Sequence, residues 1–220
     1  MESDSGSRLS SFLENPKKAL WTLAVPIMFG MGIHTLYNIV DMLFIGRLGG
    51  DAIAGVAFNM PIFFLMLGLT MGLGSGVTAS IARLIGQKNK SGADNSAEHA
   101  IAMAACISGV FTLLGLYYGK DILAIFGAEG NILTLGWDYL SMIVLGLPFM
   151  VFSGFFRSIL AGEGDMKFPM LVAGLGTILN IILDPIFIFN LEDYGNIGLG
   201  MGVKGAALAT VVSQLSVFLI

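Results

Sequence analysis

The chain has 220 residues and a formal net charge of −4; 55% of its residues are hydrophobic and only 12% are charged. Since a soluble domain carries about 25% charged residues, this composition excludes an ordinary soluble domain and predicts an all-α polytopic membrane protein. Cys106 is the only cysteine, so an intrachain disulfide is excluded as well.

Residues 1–18 form a polar and partly acidic N-terminal segment. The apolar run that follows is much longer than the ~7–15 residues of a signal-peptide core. We therefore expect a retained segment that lies in the cytoplasm and leads into a first membrane-spanning helix.

Residues 19–220 divide into six apolar stretches separated by polar turns. A helix needs about 20 residues to cross a bilayer core of ~30 Å, and all but the last stretch reach that length. The last stretch is cut at Ile220 within an apolar run, so we expect the chain to be a fragment that forms one six-helix transmembrane bundle with a truncated final helix. The predicted helices are Ala19–Gly46, Ile53–Leu84, Ala97–Tyr118, Ile132–Phe156, Phe168–Phe189 and Val203 to the end.

Basic residues are distributed unevenly about these helices. If the N-terminus lies in the cytoplasm, 8 of the 11 Lys and Arg residues fall on the inner side and 3, namely Arg47, Lys120 and Lys204, on the outer side. The positive-inside rule therefore predicts a multi-pass protein of the cell membrane with a cytoplasmic N-terminus.

Small residues recur at four-residue steps on two predicted helices. Because small side chains let helix backbones approach closely, each stripe predicts a helix–helix contact. The stripe on the second helix comprises Gly68, Gly72, Gly76 and Ser80, and that on the third comprises Ala100, Ala104 and Ser108.

Two carboxylates, Asp41 and Asp184, lie within predicted helices that run in the same direction. A charge inside a span costs about 2.5–3.5 kcal/mol on insertion scales, so it usually faces a cavity or a partner. Asp41 precedes Arg47 by six residues, and Asp184 precedes Asn190 by six; at a rise of ~1.5 Å per residue, both lie about 9 Å below the outer helix ends. Thr210, seven residues into the last predicted helix, reaches a similar depth. These three side chains can therefore share one site.

The acids have polar neighbours on their own helices. Asn180 lies one helical turn before Asp184 and shares its face. Three residues share the face of Asp41 at helical spacing, and with one tyrosine of the fourth helix they form the predicted lining of a substrate cavity. That lining comprises His34, Tyr37, Asn38 and Tyr139.

Two prolines interrupt the helices that carry the acids. Pro26 and Pro185 have no N–H, so each frees the carbonyl four residues earlier, at Thr22 and Ile181. Freed carbonyls are tolerated where they line a cavity or gain another partner, and we expect both helices to bend there.

The oxygen-bearing side chains suit a monovalent cation or a proton. Hard cations prefer oxygen ligands, so Asp41, Asn180, Asp184 and Thr210 are the predicted ligands of a metal ion, Na+. Two nearby carboxyl groups in a low-dielectric site can also retain a proton near neutral pH. In the alternative interpretation, each acid is a buried structural acceptor or a helix cap, and Thr210 bonds the carbonyl one turn back.

The sequence motifs do not predict an enzyme. No Walker-type GxxxxGK occurs, so nothing indicates that ATP drives this chain directly. GEGD, at Gly162–Asp165, resembles the GxGD of intramembrane aspartyl proteases, but its place in a predicted cytoplasmic loop beside Lys167 argues against that role. We expect no catalytic residue, no cofactor other than a coupling ion, and no nucleic-acid partner.

Four stretches resemble the multidrug and toxic compound extrusion (MATE) family, in its archaeal and DinF-like branch: NIVDMLFIGRLGGDAIAGVAF, FRSILAGEGDMKFPM, NIILDPIFIF and GVKGAALATVVSQ. The resemblance runs from about Leu20 to Ile220. It implies a twelve-helix antiporter of two six-helix lobes, of which this chain is the amino-terminal lobe. The carboxy-terminal six-helix lobe is then the missing partner.

The resemblance also implies roles for particular residues. Asp41 matches an aspartate on helix one, Asn180 and Asp184 match an Asn…Asp pair on helix five, and Thr210 matches a threonine on helix six. The bent first helix of the family corresponds to Pro26. A lobe of this kind is thought to hold Na+ or protons in exchange for cationic, amphipathic drugs.

These inferences predict a secondary active multidrug efflux antiporter that exports cationic or amphipathic xenobiotics across a lipid membrane in exchange for Na+ or H+. One alternative is a lipid-linked oligosaccharide flippase of the same superfamily, which would have a more cationic cavity. Another is an intramembrane aspartyl protease with Asp41 and Asp184 as its dyad. A channel or assembly subunit is the last, and steady ion conductance without exchange would identify it.

Overall fold

The computed structural model describes residues 16–190 and 198–220, and the regular secondary structure in these ranges is entirely helical. Some side chains of the first helix, between residues 16 and 37, are not described. Seven helices occupy the described ranges: α1 Pro16–Gly46, α2 Gly50–Ala57, α3 Met60–Gly86, α4 Lys90–Ile125, α5 Gly130–Gly162, α6 Lys167–Ile188 and α7 Val203–Leu219. Most of the predicted cytoplasmic segment 1–18 thus lies outside the described residues, although α1 already begins at Pro16.

Four described stretches are long and apolar enough to cross a membrane: residues 50–86, which comprise α2 and α3, and the helices α4, α5 and α6. α7 is also apolar but has only 17 residues. The prediction of an all-α polytopic membrane protein is confirmed.

The turns of the bundle lie at its two ends because successive spans alternate in direction. The Arg47 end carries the turns at 47–49 and 126–129 and the connection from α6 to α7, whereas the Lys88 end carries the turns at 87–89 and 163–166. α5 is the central helix, since it contacts α2, α3, α4 and α7. It therefore positions most of the other helices relative to one another.

The second predicted helix is interrupted by a turn that contains Asn59 and separates α2 from α3. Pro61 has no N–H to continue the helical ladder there. The fully buried Asn59 donates from Nδ2 to the carbonyl oxygens of Gly55, at 2.9 Å, and Gly136 of α5, at 3.2 Å. The backbones cross closely at this point, because a Cβ on Gly55 would lie 2.9 Å from the nitrogen of Gly136. One continuous helix over Ile53–Leu84 is therefore a wrong prediction.

α4 and α5 are longer than predicted, with 36 and 33 residues. α4 begins at Lys90 rather than Ala97, and its N-cap Asn89 accepts a hydrogen bond from the N–H of Gly92 at 2.9 Å. α5 continues past Phe156 to its end at the Lys88 end of the bundle. Hydropathy marks only the apolar part of a helix, so polar turns at its ends escape a prediction based on composition.

A proline within α5 is compensated by a side chain of α4. Pro148 leaves the carbonyl of Val144 without its helical donor. Thr112 of α4 donates from Oγ1 to this carbonyl at 3.3 Å. Next to this bond, Gly115 allows close contact, since a Cβ there would lie 2.7 Å from a methyl group of Val144. The bond therefore satisfies the proline site and joins two long helices.

The stripe of small residues on α4 packs as predicted. Ala100, Ala104 and Ser108 are 1%, 0% and 3% exposed. The two alanines belong to a core cluster with residues of α3 and α5, among them Ile81 and Phe155. This predicted helix–helix contact is confirmed.

The corresponding stripe on α3 does not contact another helix through its glycines. Gly68, Gly72 and Gly76 are exposed, and a Cβ added to any of them would meet no atom within 4 Å. Only Ser80 at the end of the stripe touches α4, with its Oγ 3.1 Å from that of Ser96. Among the described residues no helix covers these glycines, so the predicted contact of the stripe stays a prediction. Spacing identifies a smooth helix face but not the element that packs on it.

The connection that precedes α7 folds back onto the end of α6. The four N–H groups of residues 199–202 donate to the carbonyl oxygens of residues 186–189 at 2.9–3.1 Å, which have no partner further along α6. Gly200 and Gly202 adopt φ values of +60° and +57° in this connection. A Cβ at Gly205 would clash with the α6 backbone. α6 and α7 consequently form a tight antiparallel hairpin.

Candidate cation-binding site

A buried polar cluster lies between α6 and α7. Asn180 and Asp184 of α6 and Thr210 of α7 are 2%, 0% and 7% exposed. The Nδ2 atom of Asn180 lies 3.4 Å from Asp184 Oδ1 and 3.4 Å from Thr210 Oγ1. With the amide turned over, Nδ2 donates to Asp184 Oδ2 at 3.1 Å and Oδ1 accepts from the backbone N–H of Thr210 at 3.1 Å. In either orientation, Asn180 joins the carboxylate of α6 to α7.

Thr210 also bonds its own helix, because its Oγ1 donates to the carbonyl of Ala206 at 3.2 Å. A hydroxyl has one hydrogen and two lone pairs. The donated bond therefore fixes the hydroxyl hydrogen toward Ala206, and the lone pairs are directed elsewhere. The local bond that the sequence suggested as an alternative is thus observed, and it is compatible with a ligand role for the oxygen.

Asp41 brings a carboxylate to the cluster from α1. It is 8% exposed, and its buried Oδ1 has no hydrogen-bond partner among the described residues. Asp41 lies near enough to Asp184 for their charges to interact. Two ionised carboxylates buried together repel each other unless a cation or a proton compensates them. The structure therefore joins three residues of the predicted site directly, and it places Asp41 on a helix that packs against α6, within electrostatic range of Asp184.

The donor set fits a hard monovalent cation. In the described ranges, no three side chains of His, Cys, Asp or Glu cluster as a metal site, whereas soft and borderline transition metals favour imidazole and thiolate. Two carboxylates, one amide and one hydroxyl supply only oxygen ligands, together with a small negative charge. The partnerless oxygen of Asp41 is the atom that a bound Na+ or proton would satisfy.

The two predicted substrate-cavity residues whose side chains the structure describes, Asn38 and Tyr139, have different surroundings. Asn38 lies on an exposed face of α1. Tyr139 is 5% exposed and packs in the core, where its ring centroid lies 6.2 Å from that of Phe63; its contact with a substrate stays a prediction. Pro185 lies within α6, and the predicted bend there stays a prediction. Three predicted side chains lie outside those that the structure describes: Pro26, His34 and Tyr37.

The GEGD sequence at the Lys88 end caps a helix. Oδ1 of Asp165 accepts hydrogen bonds from the backbone N–H groups of Lys167, at 3.0 Å, and Phe168, at 3.2 Å. These are the orphan donors at the beginning of α6. Asp165 thus lies at the opposite end of α6 from Asp184, and its resemblance to a protease motif has a structural explanation.

An ion pair that the sequence did not predict joins α5 and α7. Nζ of Lys204 lies 3.0 Å from Oδ1 of Asp138, and the two side chains are 44% and 29% exposed. The sequence contains a signal for this pair, because Asp138 is an acidic residue within the fourth predicted membrane span. A pair that is this exposed stabilises the fold by only ~0–1 kcal/mol.

The MatE family model matches residues 26–186 of this chain. The probable multidrug resistance protein YoeA of Bacillus subtilis (strain 168) is 29% identical over 197 residues, which are 89% of this chain and 42% of that protein. The FAD transporter of Shewanella oneidensis is 27% identical over 198 residues, which are 90% of this chain and 43% of that protein.

Solved structures share the fold. A MOP superfamily transporter from Pyrococcus furiosus superimposes with a TM-score of 0.83 at 36% identity, over 93% of this chain and 43% of that chain. The chain thus spans less than half the length of these relatives. Because the family match covers most of the chain and includes both buried acids, the chain belongs to the MatE family of membrane transport proteins.

Proposed function

We propose that this chain is the cation-binding, amino-terminal lobe of a secondary active efflux antiporter that exports cationic or amphipathic xenobiotics in exchange for Na+ or H+. The observation that carries the proposal is the burial of Asp41, with a partnerless carboxylate oxygen, beside Asp184 in the network of Asn180 and Thr210. Such a site is costly without a bound positive charge. The multidrug resistance protein among the relatives supports the cargo class.

The Arg47 end faces the exterior in this proposal, and the N-terminus lies in the cytoplasm, as the distribution of Lys and Arg favours. A cation that enters from outside binds Asp41 and Asp184 and biases the lobe toward one conformation. The bound cation weakens binding of the exported molecule by some factor. Thermodynamic reciprocity then requires the exported molecule to weaken cation binding by the same factor. Rocking against a second six-helix lobe would then alternate access to the two sides.

The test is export of a fluorescent cationic dye by the full-length protein in proteoliposomes, with Na+ and pH gradients imposed separately. We expect Asp41→Asn and Asp184→Asn to abolish gradient-driven export, because each removes a negative charge from the cation site. Asp94→Asn is the matched control, since it makes the same change at an exposed position of α4. Undiminished export by both site variants would refute the proposal.

The same proteoliposomes test which class of molecule the protein exports. The FAD transporter among the relatives makes a flavin nucleotide the natural comparison. We expect the dye to be exported faster than FAD, because the proposed cargo is cationic and the multidrug resistance protein among the relatives supports that class. Cation-driven export of FAD with no export of dye would retain the coupling but reject the xenobiotic assignment.

A further inference from the structure

Two buried serine hydroxyls in the described helices have no hydrogen-bond partner. Ser213 of α7 is 3% exposed, and its Oγ is buried and unpaired, as is the Oγ of Ser153 on α5. Hydroxyls in helices commonly bond the carbonyl one turn back. Thr210 and Ser216 on α7 do so, with bonds to Ala206 and Val212 at 3.2 and 2.9 Å. The two unpaired hydroxyls therefore differ from these neighbours in making no bond to their own helix backbones.

Ser213 lies between two contacts that align α7 with α6. On the side of the Arg47 end, Thr210 meets Asn180. On the side of the Lys88 end, Val217 would touch a Cβ at Gly176, and the carbonyl of Ser213 lies 3.7 Å from that Cβ position. Three residues along a helix correspond to about 4.5 Å, so Ser213 is the next hydroxyl below the polar cluster in the direction of the Lys88 end.

Ser153 lies further in the same direction. α5 and α7 are parallel neighbours, because Val211 would touch a Cβ at Gly146. Phe218 packs on Phe149 and Phe152, with ring centroids 5.7 and 5.9 Å away. These contacts place Ser153 near the level of Phe218, which is about 7 Å beyond Ser213 along the helix axis.

An unsatisfied buried hydroxyl is unfavourable, and native proteins retain few of them. Four buried side-chain oxygens of the described residues have no partner, and apart from Oδ1 of Asn59 they are Asp41 Oδ1, Ser213 Oγ and Ser153 Oγ. The contacts of α7 with α6 and α5 place Ser213 and Ser153 at successive levels between the polar cluster and the Lys88 end. Each oxygen can accept a bond from water, bind Na+, or pass a proton through a bridging water. We propose that Ser213 and Ser153 are stepping positions on the route by which the coupling cation leaves Asp41 and Asp184 for the cytoplasm.

This inference rests on the proposed function, and its test separates the two. Ser213→Ala and Ser153→Ala are introduced into the full-length protein, with Ser216→Ala as the control whose hydroxyl already bonds Val212. Equilibrium binding of the cation and the turnover of gradient-driven dye export are both measured. We expect unchanged binding but a turnover about tenfold lower in the two variants, the factor that one missing hydrogen bond in a barrier produces.

Thermal unfolding provides an independent readout of folding. Removal of an unpaired hydroxyl should leave the midpoint of unfolding unchanged or higher, so slow export with an unchanged midpoint supports the route. Turnover equal to that of Ser216→Ala in both variants would overturn the route while leaving the proposed function intact. Weakened cation binding would overturn it too, since the serines would then belong to the binding site itself. Wild-type protein that shows no gradient-driven export would overturn both proposals.

Discussion

The residues of the proposed cation site would divide two chemical tasks. Asp41 and Asp184 would supply negative charge, whereas Asn180 and Thr210 would supply neutral oxygen ligands, and their hydrogen bond already joins the two helices of the hairpin. The hydroxyl of Thr210 is oriented by its bond to Ala206, so its lone pairs are fixed before a ligand arrives. Preorganisation of this kind reduces the ordering cost of binding.

The hydroxyl of Thr210 can be removed with little change of shape. We expect Thr210→Val to weaken cation binding by about fivefold, since one oxygen ligand of the ~1 kcal/mol class is lost. Thr210→Ser should bind nearly as the wild type does, because it keeps the hydroxyl. Calorimetric titration of the purified protein with Na+, and separately with acid, measures both variants. Equal affinity in Thr210→Val and wild type would show that this oxygen is not a ligand.

At the scale of elements, a side chain on one helix donates the hydrogen bond that a backbone carbonyl of another helix lacks. Thr112 satisfies the carbonyl of Val144 that Pro148 leaves bare. Asn59, in the turn between α2 and α3, links this turn to α5 through its hydrogen bonds to the carbonyls of Gly55 and Gly136. In a span with few waters, such bonds replace solvent as the partner of a free carbonyl.

Loss of the hydrogen bond that Thr112 donates should lower the stability of the protein by a measurable amount. Thr112→Val leaves the carbonyl of Val144 unpaired, and we expect it to lower the free energy of unfolding by about 1–3 kcal/mol. Thr112→Ser retains the donor and should lose much less. Thermal unfolding in detergent micelles, followed by circular dichroism, compares the two variants. A midpoint for Thr112→Val at or above that of Thr112→Ser would contradict this account of Pro148.

The sequence predicts some elements well for identifiable reasons. Depth counted from the helix ends places Asp184 and Thr210 at one level, and the structure joins them through Asn180. The break at Asn59 is not predicted, because the hydropathy does not change across it, although Pro61 is a signal for it. The unpaired hydroxyls of Ser153 and Ser213 cannot be read from a sequence at all, because a serine on a helix normally bonds its own backbone.

At the scale of the whole molecule, the glycines of the α3 stripe are the clearest unassigned surface. Gly68, Gly72 and Gly76 would accept a Cβ without any contact. The relatives are more than twice as long as this chain. Smooth glycine faces in membranes favour close helix packing, so we expect this stripe to contact a part of the full-length protein outside these 220 residues.

Two matched glycine variants test this expectation. Gly72→Leu should impair dye export by the full-length protein by about tenfold or more, because a close helix contact tolerates no branched side chain. Gly109→Leu on α4 should be neutral, since that glycine is equally exposed and has equally open space around it. Export is measured in proteoliposomes at matched protein content. Equal activity of the two variants would place the α3 stripe against lipid.

The fold-back of residues 199–202 onto α6 has a mechanical consequence. Four backbone bonds clamp the two helices at one end, and Gly205 lets them lie in direct contact. We therefore expect Asn180, Asp184 and Thr210 to move as one rigid unit and to keep their mutual spacing in any change of state. Asp41 lies on α1, outside this hairpin, so we expect the separation of its carboxylate from that of Asp184 to depend on the position of α1 alone.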